Sequence, residues 1–293
     1  MIALLPARTV YDGLLNLARY CAPLLLGIGL LPGCAHSQLG DQQYQPTVGQ
    51  HGKDVIWVPT PDHLVVRMLE VAQVKPHDLV IDLGAGDGKI PIQAARQFGA
   101  QAIGIEYNPD MANLARRNVQ RAGVADKVRI ITGDIFVEDF SKASVLTMYL
   151  LPSLNQKLKP HILKMKPGTR VVSHSFDMEP WEPDQVISAE NSAQGYFWVV
   201  PAPVHGTWKI QGLDTQSVDL QVNQRYQKFD GRFELQGKSI AFDSGRIHAD
   251  EIRFTYQDHQ GNRINVVGKI NGTRLTGEIF GARSGAITGQ RLP

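Results

Sequence analysis

The stretch Val80-Ile-Asp-Leu-Gly-Ala-Gly-Asp-Gly88 constrains this chain more than any other. Leu79-Val-Ile-Asp-Leu83 reads as a short buried strand, and Gly84, Gly86 and Gly88 follow at alternate positions. Closely spaced glycines let the backbone turn sharply and approach a ligand with no Cβ in the way. Lys89 to Phe98 then carries helical periodicity and stops at Gly99. A buried strand passing through a tight turn into a helix is the repeating unit of a parallel sheet.

The neighbouring sequence repeats that unit. Thr60-Pro61-Asp62 reads as the start of a helix through Gln73, with Thr60 as N-cap and Pro61 in the first turn. Ala102–Ile105, Val128–Ile131, Val145–Tyr149, Arg170–Phe176 and Tyr196–Val200 are strand-like, and Asn108-Pro109-Asp110 caps a helix ending near Gly123. Pro152 to Met165 reads as a helix interrupted at Pro160. The expectation is an α/β domain over 55–203 with a mostly parallel sheet. Beyond Pro203 helical periodicity gives way to short alternating runs, with turn signals at Asp230-Gly231, Gly261-Asn262 and Asn271-Gly272. Residues 204–293 are therefore expected to form a small antiparallel all-β domain, a barrel or a sandwich.

The chemistry of the glycine turn narrows its ligand. Asp82 at the strand end suits a ligand amine and disfavours a pyrophosphate, and no Gly-Lys-Ser/Thr follows. The spacing Gly84-x-Gly86-x-Gly88 also departs from the G-x-G-x-x-G dinucleotide pattern. Glu106 ends the second strand, where a carboxylate can take both hydroxyls of a ribose. Asp134 follows Gly133 at the end of the third strand, placed for an adenine amine.

Asp82-x-Gly84-x-Gly86-x-Gly88, Glu106 and Gly133-Asp134, in that order, resemble the class I S-adenosylmethionine-dependent methyltransferases. The resemblance spans Trp57 to Ala202. It implies a Rossmann-like, mostly parallel seven-stranded sheet and S-adenosyl-L-methionine as cofactor. The implied cofactor residues are Asp82, Gly84, Ala85, Gly86, Gly88, Glu106, Tyr107, Asp134 and Ile135. Val58-Pro-Thr-Pro61, Met148-Tyr149-Leu-Leu-Pro152 and Leu163-x-x-x-Pro167-Gly-Thr-Arg-Val-Val-Ser-His174 resemble a narrower subgroup. It contains mitochondrial protein-lysine methyltransferases acting on ATP synthase c-subunit-like substrates, with related bacterial chains. That likeness places Pro59 and Thr60 at the edge of the cofactor pocket and Tyr149 beside the transferable methyl. It implies an acceptor amine, protein lysine among the candidates.

Methyl transfer is an in-line displacement, so the protein mainly supplies position and desolvation. A lysine acceptor must lose its proton, and the sequence shows no base for that. The Asn/Asp-Pro-Pro-aromatic motif of many amino-group methylases is absent, and Tyr149-Leu-Leu-Pro152 stands in its place. Tyr149 and His174 are the catalytic candidates. Each has a plain alternative, a strand-end aromatic and a packed strand histidine. His174 and Asp177 flank the sixth strand, with Trp181 shortly after, and either of the two is placed to touch an acceptor. His161, His205, His248 and His259 are scattered and suggest no metal site. Lys157, Lys159, Lys164 and Lys166 form a basic run, read as a solvated helix face. Trp198 and Trp208 are expected at the junction of the two domains. With 30 Lys+Arg against 28 Asp+Glu, net charge +2, nothing marks a strongly basic nucleic-acid binder.

The N-terminus points elsewhere. Ala22 to Leu31 is uncharged and apolar, too short to span a membrane but suited to a signal-peptide core. Leu31-Pro32-Gly33-Cys34 resembles a bacterial lipobox, which implies a signal peptide over 1–33, lipidation at Cys34, membrane attachment and a tether over 34–54. The only other cysteine is Cys21. An exported domain would sit apart from a cofactor made in the cytoplasm. Two readings stay open, an envelope lipoprotein and a cytoplasmic enzyme with a misleading leader. A rival function also stands, a non-catalytic envelope lipoprotein with a retained nucleoside-binding fold and a partner-binding β domain.

Overall fold

The computed structural model describes residues 44–54, 56–188 and 193–293, and the lipidation candidate Cys34 lies outside them. Two sheets organise the described residues. The first has seven strands in the order β3-β2-β1-β4-β5-β7-β6. Its parallel part is β1 (Leu79–Leu83), β2 (Gln101–Glu106), β3 (Val128–Thr132), β4 (Val145–Met148) and β5 (Arg170–His174). The last two strands, β6 (Gln185–Ser188) and β7 (Gln194–Val199), run antiparallel.

β1 is central, and four of its five residues are buried. Helices α1 (Asp62–Val71), α2 (Lys89–Phe98) and α3 (Pro109–Arg121) contribute Leu64, Ala94 and Ala115 to one apolar cluster. On the other side α4 (Pro152–Ile162) contributes Leu154, Leu158 and Ile162 to a cluster with Trp181 and Trp198. β1 enters the first cluster through Val80 and the second through Ile81 and Leu83. Alternate side chains of a strand point to opposite faces, so both faces are covered, as a parallel sheet requires. The strand order changes direction beside β1, and α/β sheets bind ligands at such a switch point.

Two local readings change. Pro61, not Thr60, occupies the N-cap of α1, and no side chain caps that helix. The helix α4 continues through Pro160 instead of breaking there. Pro160 sits in the exposed last turn, where the lost N–H bond and the ring are tolerated more easily than in a helix centre.

The second sheet is a closed eight-stranded barrel. It comprises β8 (Gly206–Gln211), β9 (Val218–Arg225), β10 (Lys228–Leu235), β11 (Lys238–His248), β12 (Glu251–Gln257), β13 (Arg263–Asn271), β14 (Arg274–Gly281) and β15 (Gly285–Arg291). Consecutive strands pair antiparallel, and β15 closes on β8. Alternation sends Phe229, Phe233, Phe242, Phe254 and Tyr256 inward, where their rings fill the barrel.

Asp230-Gly231 is not a turn. It lies inside β10 at a register shift, and a Cβ on Gly231 would come within 2.5 Å of the Phe242 ring. Glycine is needed there to make room for the aromatic core. The β9–β10 connection is instead Tyr226-Gln227, with Tyr226 at φ +56. Trp208 is also corrected. It is buried in the barrel core with its Nε1 donating to the Val204 carbonyl at 2.8 Å. Trp198 stays in the α/β core and donates to the Trp181 carbonyl at 3.0 Å.

Candidate active site

The carboxyl ends of β1, β2 and β4, with the turns after them, enclose one cleft. Asp82, next to last in β1, is 2% exposed and accepts a 2.7 Å hydrogen bond from Thr147 Oγ1 on β4. Burial pushes its carboxyl up to about 7 against the opposing effect of that bond, and the Glu106 charge adds to the rise. Glu106 accepts from the backbone N–H of Gly86 and of Asn108, each at 2.9 Å. This carboxylate ties the glycine turn to the start of α3. Burial outweighs both bonds and raises its pKa.

The turn itself depends on Gly86, at φ +54, where a Cβ would lie 2.9 Å from Trp57 Nε1. Of the expected cofactor residues, Pro59, Thr60, Asp82, Gly84, Ala85, Gly86, Glu106, Tyr107, Asp134 and Ile135 all line the cleft. Gly88 does not. It caps α2 in the left-handed conformation with Ala115 packed against it, so its role is in helix packing.

Tyr149 lines the cleft, and Phe176 stands 6.4 Å from it between ring centroids. His174 is outside the lining, packed against Tyr149 at 3.8 Å. Its Nδ1 pairs with Thr60 Oγ1 at 3.0 Å. Burial lowers the imidazole to about 4, which leaves it neutral near pH 7. Asp177 and Trp181 stand apart from the lining, Trp181 being fully buried.

The sequence reading missed the segment before α1. Residues 49–54 fold back onto residues 56–57. Gly49 N–H donates to the Trp57 carbonyl and Trp57 N–H to the Gln50 carbonyl. Gln50, Gly52, Lys53, Asp54, Ile56 and Trp57 all face the cleft, so what read as the end of a tether forms one of its walls. Lys53 Nζ lies 2.7 Å from Asp134 Oδ2 and 4.6 Å from the Tyr107 ring centroid. Nothing in the polar, glycine-containing composition of this stretch signals such a fold. The one usable clue is Trp57, a large aromatic just ahead of a helix.

A seven-stranded sheet of this order, with carboxylates at the ends of β1 and β2 and after β3, defines a class I methyltransferase. The residues present suit S-adenosylmethionine. The glycine turn leaves space for a ligand against the backbone, and the cleft supplies acceptors for an amine, a ribose and a purine amine. The comparisons agree. The model of the ANTKMT methyltransferase domain matches residues 82–185. A protein-lysine N-methyltransferase of Saccharolobus islandicus is 46% identical over 151 residues, which is 50% of this chain and 94% of that protein. The adenine nucleotide translocase lysine N-methyltransferase of Mus musculus is 34% identical over 145 residues, 49% of this chain and 60% of that protein. An RNA methyltransferase of Salinibacter ruber, solved with S-adenosyl-L-homocysteine, is 50% identical over 50% of this chain and 96% of its own, with a TM-score of 0.49. The chain belongs to this S-adenosylmethionine-dependent methyltransferase family. The match spans less than two thirds of the mouse relative. The non-catalytic alternative finds no support among these relatives.

Proposed function

We propose that this chain methylates the ε-amine of lysine in a protein. The observation that carries the reading is the make-up of one continuous cleft. Asp82, Glu106 and Asp134 sit in it at the ends of adjacent parallel strands, and Tyr149, Leu150, Leu154 and Phe176 supply an apolar and aromatic wall. Bound S-adenosylmethionine supplies an electrophilic methyl on a sulfonium. Asp82 is assigned to its amine, Glu106 to its ribose and Asp134 to its adenine amine.

The apolar wall supports an amine acceptor. Moving an ammonium out of water lowers its pKa and favours the neutral, nucleophilic form. His174, neutral by burial, orients the Tyr149 ring through close packing and is itself held by Thr60. A charged imidazole there would repel the incoming cation. The names of the archaeal and mouse relatives, both lysine methyltransferases, support the same acceptor.

The test is radiolabelled methyl transfer from S-adenosylmethionine to a fractionated cell extract, followed by hydrolysis of the labelled protein. Methyl-lysine is expected, and it should vanish in an Asp82→Ala, Glu106→Ala double variant that no longer binds S-adenosylhomocysteine. Label confined to nucleic acid, or none at all, overturns the proposal.

For the N-terminal region we propose export and lipidation at Cys34, supported by the apolar run from Ala22 to Leu31 and the Leu31-Pro32-Gly33-Cys34 sequence. Palmitate labelling that disappears in Cys34→Ser is the expected result. Unlabelled protein in the cytoplasmic fraction sinks it.

A further inference from the structure

The barrel grips one particular segment of the methyltransferase domain. Tyr226, at the tip of the β9–β10 hairpin, leaves the barrel and stacks on Trp181, with ring centroids 5.9 Å apart and planes 14° from parallel. Its backbone is at φ +56, a region that costs a residue with a Cβ and persists only where surrounding contacts hold it. Next to it, Gln227 Nε2 donates to the Glu182 carbonyl at 2.8 Å and to Asp184 Oδ1 at 3.3 Å. Lys228 ion-pairs with Glu182.

The gripped segment, residues 176–184, follows β5 and begins with Phe176, which stands in the cleft beside Tyr149. It has almost no secondary structure of its own, apart from one bridge between Met178 and Trp181. Its backbone carbonyls are met by side chains. Asn155 Nδ2 donates to Phe176 O and Asp177 O, each at 3.1 Å. Lys159 Nζ donates to Met178 O at 3.1 Å and Glu179 O at 2.6 Å, and it also lies 5.9 Å from the Tyr226 ring centroid. Lys159 is thus a brace between α4, this segment and the barrel, rather than part of a solvated face. Trp181 is fully buried, and its Nε1 has no partner among the described residues. Packing therefore places this side chain, and Tyr226 is part of that packing.

The barrel is not a requirement of the family. The Saccharolobus relative matches over 94% of its length within 151 residues, which leaves no room for a domain of this size. The barrel interior is filled by its own aromatic rings, so its contribution to this chain lies on its outer contacts.

We propose that the barrel sets the acceptor wall of the methyltransferase site, with Tyr226 as the positioning residue. It rests on the protein-methylating function proposed above. Tyr226 fixes Trp181, Trp181 fixes the segment, and the segment fixes Phe176 beside Tyr149. The carboxylates assigned to the cofactor stand at the ends of β1 and β2 and after β3, on elements other than the 176–184 segment. Loss of Tyr226 should therefore weaken acceptor use and spare cofactor affinity.

The experiment compares the full-length chain with Tyr226→Ala and Tyr226→Phe. Calorimetry reads S-adenosylhomocysteine affinity, hydrogen exchange reads the 174–184 peptide, and radiolabelled transfer is measured at rising concentrations of extract protein. For Tyr226→Ala the expectation is affinity within twofold of wild type, faster exchange confined to 174–184, and transfer at least fivefold lower at low extract. The deficit should shrink at high extract, and Tyr226→Phe should restore both properties. Unchanged exchange in 174–184 overturns the proposal. So does a fall in cofactor affinity together with general loss of protection that phenylalanine does not rescue. A wild type that labels no protein refutes the proposed acceptor, and the exchange result then still decides whether Tyr226 positions the segment.

Discussion

Lys53 and Asp134, 81 residues apart in sequence, meet at 2.7 Å across the cleft. The ammonium also lies over the ring of Tyr107, a residue 51% exposed. The hydrogen bond from Lys53 holds the Asp134 carboxyl below the usual range, and Asp134 in turn raises the Lys53 pKa. A lysine thus occupies the carboxylate assigned to the donor's adenine amine.

Lys53→Ala should tighten binding of S-adenosylhomocysteine a few-fold at low ionic strength, because the purine no longer has to displace the ammonium. The pair is partly exposed, and screening weakens exposed pairs. Calorimetry should show the difference closing in 0.5 M salt, a concentration at which the screening length is only about 4 Å.

Cofactor affinity should depend on the ionisation of Asp82. An ammonium ligand needs the carboxylate, and in the free protein that group titrates at about 7. Binding should weaken as pH falls below that value, by up to roughly tenfold per unit. Asp82→Asn should bind weakly throughout and lose this slope. Titration calorimetry between pH 5.5 and 8.5 distinguishes the two profiles.

His174 makes a separate contribution to acid sensitivity. Its pKa falls from 6.5 to about 4 on folding through burial. Between those values the unfolded chain binds more protons than the folded one, so stability is lost as pH drops from about 6.5 toward 4. Denaturant unfolding should show this loss in the wild type and a reduced loss in His174→Gln. An identical pH dependence in the two proteins would contradict the assignment.

Gly231→Val tests the barrel core. The first added carbon would sit 2.5 Å from Phe242 Cζ, an overpacking that typically costs about 1–3 kcal/mol. Thermal unfolding should move to lower temperature, while affinity for S-adenosylhomocysteine measured below the transition stays unchanged.

The α/β half was readable because its signals are local. Asp82, Gly84, Gly86 and Glu106 lie in or beside single strands and turns, and their order carries the family resemblance that implied one cofactor cleft. Reading failed where a residue serves a distant contact. Thr60 looks like a helix cap, but its hydroxyl meets His174, 114 residues on. Asp230-Gly231 looks like a turn, yet its glycine accommodates a ring from the next strand. β8 and β15 are far apart in sequence and pair only when the barrel closes.

The sequence by itself determined the sheet, the glycine turn and the carboxylates that make this chain a methyltransferase. The sheet and the turn follow from periodicity and backbone freedom within a few residues, and the carboxylates from their order, which carries the family resemblance. Only the tertiary structure decided what surrounds the cofactor cleft. It brought Trp57 over Gly86 and Lys53 onto Asp134, and it set Tyr226 on Trp181 behind the acceptor wall. Such contacts depend on where whole elements come to rest. No local pattern encodes them, because a lysine in a polar stretch or a tyrosine at a hairpin tip fits many surroundings equally well.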